Sequence, residues 1–205
     1  MLAWARISFR LSTSMDVPQP AIAIRATDLT RRYGNLVAVD RLSLEVRRGE
    51  ILGFLGPNGA GKTTTLKMLC GLLRPDCGRI EFDGVPLSTG RVASLHAIGL
   101  SPQAIVIWDM LTVLEQLEFM ARAYGLTRAA ARARSDGLLT AFGLEEKRHR
   151  LGRTLSGGLQ RRLNIALAFV HDPSIVFLTS RKRGWIPRVA CSSATTSGPC
   201  AAASP

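Results

Sequence analysis

The stretch Gly56-Pro57-Asn58-Gly59-Ala60-Gly61-Lys62-Thr63-Thr64 decides how the rest of the chain is read. Gly56, Gly61, Lys62 and Thr63 satisfy the pattern G-x-x-x-x-G-K-[ST], a loop that cradles phosphate groups. Ahead of it, Ile51-Leu52-Gly53-Phe54-Leu55 is an apolar run of buried-strand length, and behind it Thr65 to Leu73 reads as a helix. Strand, loop and helix in that order are the context the pattern requires. A triphosphate needs many hydrogen-bond donors at short range, and a loop poor in side chains lets backbone N–H groups curl around it; Gly56, Gly59 and Gly61 supply that freedom. The following helix turns its first N–H groups and the positive end of its dipole toward the anion. Lys62 adds a point charge for the outer phosphates, and the Thr63 hydroxyl is a ligand for Mg²⁺.

The 205 residues suffice for a good-sized core, and no apolar run reaches the roughly 18–20 residues a membrane span needs, so the chain reads as a soluble domain. Its 27 basic and 15 acidic residues give a formal charge of +12, which raises nucleic acid or an anionic membrane as partners. The distribution argues against a dedicated nucleic-acid face. Arg6 and Arg10 near the start, and Arg181, Lys182, Arg183 and Arg188 near the end, lie in stretches without acid, and setting them aside leaves 21 basic residues against the same 15 acids. The cysteines, Cys70, Cys77, Cys191 and Cys200, form no C-x-x-C pair and have no metal-ligand spacing, which fits a reduced cytosolic setting. Residues 1–20 are expected to be a leader or a start assigned too early, with Met15 as the true initiator.

Along the body, Ala21 to Ala26 and Leu42 to Val46 alternate as strands, with a turn expected at Arg31 to Asn35. Tyr33 in that turn is either a packing residue or a platform for a base. Arg79 to Gly84 and Ala97 to Gln103 read as short strands entering turns, the second ending at an isolated polar glutamine. Residues 112–124 form an amphipathic helix with Leu114, Leu117, Ala121 and Tyr124 on one stripe, and Thr112 and Glu115 have capping-box spacing. A second helix, from about Thr127 to Phe142, is expected to break near Gly137. Ser156-Gly157-Gly158 opens a further helix over Arg161 to Val170, a hydroxyl and free N–H groups at a helix start, and Pro173 to Leu178 is a buried strand.

Tyr33, GPNGAGKTT, Gln103 and LSGGLQRR occur in order, with 100 residues from Gly56 to Ser156, and together they resemble the ATP-binding subunit of ABC transporters from about Ile22 to Leu178. The resemblance implies an α/β fold, a P-loop NTPase mixed sheet with an inserted helical subdomain at about 106–160. It implies that Tyr33 stacks on adenine, that Gly56 to Thr64 hold the phosphates, and that Gln103 reaches Mg²⁺ and the attacking water while sensing a membrane subunit. Ser156, Gly157 and Gly158 would contact ATP on a second ATP-binding subunit in a head-to-tail dimer. The cofactors implied are ATP and Mg²⁺; the partners are membrane-spanning transporter subunits, with no nucleic acid, and the place is cytoplasmic, against the inner face of the cell membrane. GFLGPNGAGKTTTLKML and LTVLEQLEFMARAYGL look most like the exporter subgroup. Leu159 stands where the family signature usually has glutamine.

The larger departure follows Leu178. Where the family has an aspartate that orients Mg²⁺ and then a glutamate that positions water, this chain has Thr179 and Ser180, and residues 179–205 lack apolar periodicity and contain no counterpart of the switch histidine. The fold is therefore expected to be incomplete at the C-terminus, with 179–205 an aberrant, irregular tail. Thr179 to Pro187 can be encoded as ACG AGC CGG AAG CGG GGC TGG ATC CCC. One G restored in front gives GAC GAG CCG GAA GCG GGG CTG GAT CCC, which reads DEPEAGLDP, the missing carboxylates and the loop after them. Trp185, with a single codon, fits without choice. A one-base deletion near the Leu178/Thr179 junction, in the gene or in its reading, is therefore expected to account for the tail, the alternative being a genuinely divergent C-terminus that fits by coincidence. Two other readings stand beside a working transporter subunit: a non-catalytic ATP-binding remnant, and a soluble ABC ATPase acting on DNA or ribosomes. The spacing between phosphate loop and signature is of transporter length, which disfavours the last.

Overall fold

The computed structural model describes residues 5–9, 21–87, 96–179 and 188–191. They form two compact units: the described residues up to Leu100 together with those from Ser174 to Cys191, and Ser101–Pro173.

In the first unit, β2 (Ile22–Tyr33) and β3 (Leu36–Arg47) make a long antiparallel hairpin. Ile24 faces Val46, Ala26 faces Leu44 and Tyr33 faces Leu36 across it. The alternation seen at 21–26 and 42–46 is thus the buried base of strands that run much further. The turn shrinks to Gly34 and Asn35, with Gly34 at a positive φ of 57°, so Arg31, Arg32 and Tyr33 lie on the strand and not in the turn expected for them. β5 (Cys77–Phe82) pairs with the other edge of β2, and β6 (Val85–Pro86) completes a four-stranded sheet in the order β3-β2-β5-β6.

The second sheet of this unit has the order β1-β4-β9-β8-β7, from β1 (Ala5–Phe9), β4 (Ile51–Leu55), β9 (Arg188–Cys191), β8 (Ile175–Leu178) and β7 (Ile98–Ser101). Two of these fall in stretches where the sequence suggests no regular element. β1 runs antiparallel along β4, and β9 runs antiparallel to both β4 and β8. The physical reason is shared: the backbone N–H and C=O groups of β4 and β8 need partners, and a short segment such as Arg188-Val189-Ala190-Cys191 meets that need with its own backbone, without a long apolar pattern. The rest of the expected leader and of the 179–205 tail lies outside the described residues beyond Thr179. Helix α1 (Lys62–Leu69) begins and ends earlier than the sequence suggests, closing at Gly71 with φ 71°. Ile24, Leu29, Val46, Met68, Leu69, Ile175 and Phe177 form the centre of this unit's core, each at most 1% exposed. Cys70, packed there, has its thiol pushed up to about 12 by burial and is inert at neutral pH.

The second unit is built on α2 (Val113–Ala123), α3 (Arg128–Ala141) and α4 (Gly157–Ala168). The capping box is present: the Glu115 N–H donates to the Thr112 hydroxyl, and the Thr112 N–H donates to the Glu115 carboxylate at 2.7 Å. Val113, Leu117, Ala121, Leu139, Leu163 and Ala166 meet in one core. The Arg134 guanidinium donates to the Phe169 and Val170 carbonyls, which closes the C-terminal end of α4. Helix α3 does not break at Gly137. It continues to Ala141 because Leu138 and Leu139, just beyond, are anchored in the core, and packing outweighs the weak propensity of one glycine. A Cβ at Gly137 would meet nothing within 4 Å. Gly137→Ala is therefore expected to raise stability by about 0.5–1 kcal/mol, read as a higher urea midpoint with unchanged slope; a lower midpoint would mean that the helix needs glycine there.

Candidate functional site

Strand β4 delivers the chain into the phosphate loop, and Ala60, 4% exposed, is the loop's one buried anchor while residues 56–59 are exposed. The Ala60 N–H donates to the Pro57 carbonyl at 3.2 Å, curling the loop, and Gly59 has φ 85°. Gly61 is the N-cap of α1 in the left-handed conformation, φ 78° and ψ 5°. A Cβ there would overlap the Ala38 carbonyl oxygen and press on Val39 of β3, so only glycine permits the helix start to lie against that strand. No side chain caps α1, which leaves the N–H groups of its first turn for an anion. The Lys62 ammonium donates to the Gly56 and Pro57 carbonyls, both at 2.6 Å, and so holds the loop closed over the helix start. Thr63 is exposed and Thr64 half-buried beside it; Asn58 is exposed on the loop crest. Thr65, next along, is fully buried, and its hydroxyl has no hydrogen-bond partner among the described residues.

Tyr33, 47% exposed, ends β2 in the same unit, and the Arg31 guanidinium lies over its ring at 5.2 Å from the centroid. Arg31 in turn pairs with Asp76 on the segment that follows α1.

Gln103, Ser156, Gly157 and Gly158 belong to the second unit, and all four are exposed. Ser156 caps α4, its hydroxyl accepting from the Leu159 N–H at 3.4 Å, and Cβ atoms added at Gly157 or Gly158 would meet open space. The helix start is thus a bare, donor-rich surface. The segment around Gln103 is tied to the same helix. The Asn164 side chain, 3% exposed, accepts from the Val106 N–H at 2.9 Å and donates to the Ser101 hydroxyl at 3.0 Å, and Arg161 donates to the Pro102 carbonyl at 2.7 Å. A second buried amide, Gln116 of α2, accepts from the Trp108 N–H and donates to the Trp108 and Leu111 carbonyls. Each replaces backbone partners that a loop otherwise finds in water, and loss of such a buried partner costs roughly 1–3 kcal/mol. These two residues escape a reading by motif. The signal that marks them is a polar side chain inside the apolar stripe of a helix, Asn164 between Leu163 and Ala166 and Gln116 beside Leu117.

Thr63 and Gln103, the two residues expected at Mg²⁺, lie in separate units. Among the described residues, no three His, Cys, Asp or Glu side chains form a metal-binding group. Strand β8 ends at Leu178 and is followed by the half-buried Thr179; Ser180 lies outside the described residues.

Comparison with known proteins bears on this arrangement. The family model described as ABC transporter matches residues 39–179. The Nod factor export ATP-binding protein I of Ralstonia nicotianae is 40% identical over 160 residues, covering 78% of this chain and 50% of the relative. The daunorubicin/doxorubicin resistance ATP-binding protein DrrA of Streptomyces peucetius is 41% identical over 170 residues, covering 83% and 52%. The chain spans about half the length of the curated relatives it matches. Among solved structures, cbiO1 from Clostridium perfringens, part of the ABC transporter complex cbiONQ, superposes with a TM-score of 0.69 at 26% identity, covering 77% of this chain and 65% of that one. With the phosphate loop between β4 and α1, the bare LSGG helix start, and a family match over most of its length, the chain belongs to the ABC transporter family, as one of its ATP-binding members.

Proposed function

We propose that this chain binds Mg-ATP and serves as the ATP-binding subunit of a transporter, of the export type, working with separate membrane-spanning subunits and a second ATP-binding subunit. One observation carries the reading: the loop Gly56–Thr64, with Gly61 left-handed and Lys62 clamped across it, opens an uncapped helix toward solvent. Phosphate oxygens would take the donors of that loop, with the Lys62 ammonium turning from carbonyls to the outer phosphates. The Thr63 hydroxyl, exposed in the first turn of α1, fits a Mg²⁺ that keeps several waters and takes its other ligands from the phosphates, the role Gln103 shares in the family. Tyr33 offers its ring to adenine. Ser156, Gly157 and Gly158 would present their donors to the nucleotide of the second subunit in a head-to-tail pair. Support for the membrane partner comes from Ile105, Val106, Trp108, Met110 and Phe119, large apolar side chains exposed on and beside the segment that follows Gln103. No helix among the described residues is long and apolar enough to cross a membrane, so docking on partner subunits at the inner face of the cell membrane is the route by which the chain would act there.

Hydrolysis is a separate matter. Thr179 at the end of β8 offers no carboxylate to orient Mg²⁺, and Ser180 is not basic near neutral pH. We read the chain as written as an ATP-binding form impaired in turnover, and the one-base shift after Leu178 as its origin; the family match that stops at residue 179 supports this.

Removal of the charge at Lys62→Ala is expected to weaken Mg-ATP binding by about 1.5–3 kcal/mol in calorimetric titration, the worth of a charge-assisted contact; unchanged affinity would remove Lys62 from the site. Restoring the frame after Leu178 is expected to raise ATP turnover by about 10²–10⁴-fold, the usual contribution of a positioned general base. Thr179→Asp with Ser180→Glu alone should recover little, since residues 181–205 still hold neither the family's following loop nor a switch histidine. Equal turnover by the 205-residue chain and the frame-restored protein would contradict both the catalytic reading and the frameshift.

A further inference from the structure

We infer that Arg31 and Asp76 are positioning residues for the purine base, acting through Tyr33; the inference rests on the reading of this unit as an ATP site. Arg31 and Tyr33 stand two residues apart near the end of β2, where the pairing with β3 shifts register, and their side chains meet. The Arg31 guanidinium lies over the Tyr33 ring, 5.2 Å from its centroid, within the range of a cation–π contact. Its Nη1 donates to Asp76 Oδ1 at 2.5 Å and to the Arg74 carbonyl at 3.3 Å.

Asp76 is itself fixed. Its second carboxylate oxygen accepts from the Arg32 N–H at 2.7 Å, and its own N–H donates to the Thr30 carbonyl at 2.8 Å. Asp76 therefore grips β2 at three successive residues, Thr30 through its backbone N–H and Arg31 and Arg32 through its carboxylate. Arg74 and Asp76 lie on the stretch that leaves α1, so the ring at the end of β2 is tethered to the same run of chain that carries the phosphate loop.

For stability alone this arrangement contributes little, because the Arg31 and Asp76 side chains are 25% and 38% exposed and such pairs are largely screened. Its effect falls on the ring. A half-exposed tyrosine at a strand end would otherwise sample rotamers, and a planar ligand stacking on it would have to freeze them. With the guanidinium seated on one face, the ring is held, and its free surface is what remains for a flat aromatic ligand. The phosphates of the same ligand are outside this device. The device therefore discriminates in favour of a triphosphate that carries a base.

The test is calorimetric titration of the full chain, wild type, Arg31→Met, Arg31→Lys, Tyr33→Ala and the double variant, with Mg-ATP and with Mg-tripolyphosphate as the base-free probe. Thermal unfolding first establishes that each variant is folded. Arg31→Met is expected to weaken Mg-ATP by about two- to fivefold, the size of a partly exposed cation–π contact, and to leave tripolyphosphate affinity unchanged. Arg31→Lys, which keeps the charge for Asp76 and loses the flat guanidinium, should fall between. In the Tyr33→Ala background, Arg31→Met should have no further effect. The inference is overturned if a folded Arg31→Met binds Mg-ATP as wild type does, or if ATP and tripolyphosphate weaken by the same factor. A wild-type chain that binds Mg-ATP no better than Lys62→Ala overturns the ATP site itself, a result visible before any Arg31 variant is compared.

Discussion

The contact on which the first unit's site depends is the close approach of Gly61 to β3, where the Ala38 carbonyl fills the space a side chain would need. That approach fixes where α1 starts, and the start of α1 fixes where its free N–H groups face. Everything else around the loop serves this geometry. β4 supplies a rigid exit from the sheet, Ala60 anchors the loop crest, and Lys62 ties the loop's beginning to the helix. The left-handed conformation at Gly61 and its crowding against β3 are two independent reasons for glycine at this position.

The second unit solves a different problem, holding an exposed loop in one place without a strand to pair it. Two buried amides do this. Asn164 holds the segment on either side of Gln103 to α4, whose first residues are Ser156-capped Gly157 and Gly158, and Gln116 holds the stretch around Trp108 to α2. Asn164 thereby joins the segment that carries Ile105 and Val106 to the helix that begins at Gly157 and Gly158. Such joints depend on polar groups whose loss would leave buried donors unpaired.

How much of this was legible in the sequence follows from how local each feature is. The strand-loop-helix order around residues 56–64, the capping box at Thr112 and Glu115, and the Ser156 cap are set by residues within a few positions of one another, and the structure shows each of these local geometries. The full reach of β2 and β3 was not legible, because strand length past residue 26 is decided by pairing partners and not by alternation. The continuity of α3 through Gly137 depends on a core that Leu138 and Leu139 enter, a tertiary fact. β1 and β9 answer the needs of β4 and β8 and carry little pattern of their own. Asn164, Gln116 and the Arg31–Asp76 pair join residues 5 to 63 positions apart and carry no motif.

Photoaffinity labelling tests the central claim most directly, because it reports where the nucleotide lies in the chain as it stands. After irradiation with an 8-azido analogue of Mg-ATP and peptide mapping, the account expects label on the peptide that contains Tyr33, abolished by excess Mg-ATP and lost in Lys62→Ala. Label confined to peptides of the second unit, or label on the Tyr33 peptide that excess Mg-ATP leaves untouched, would contradict it.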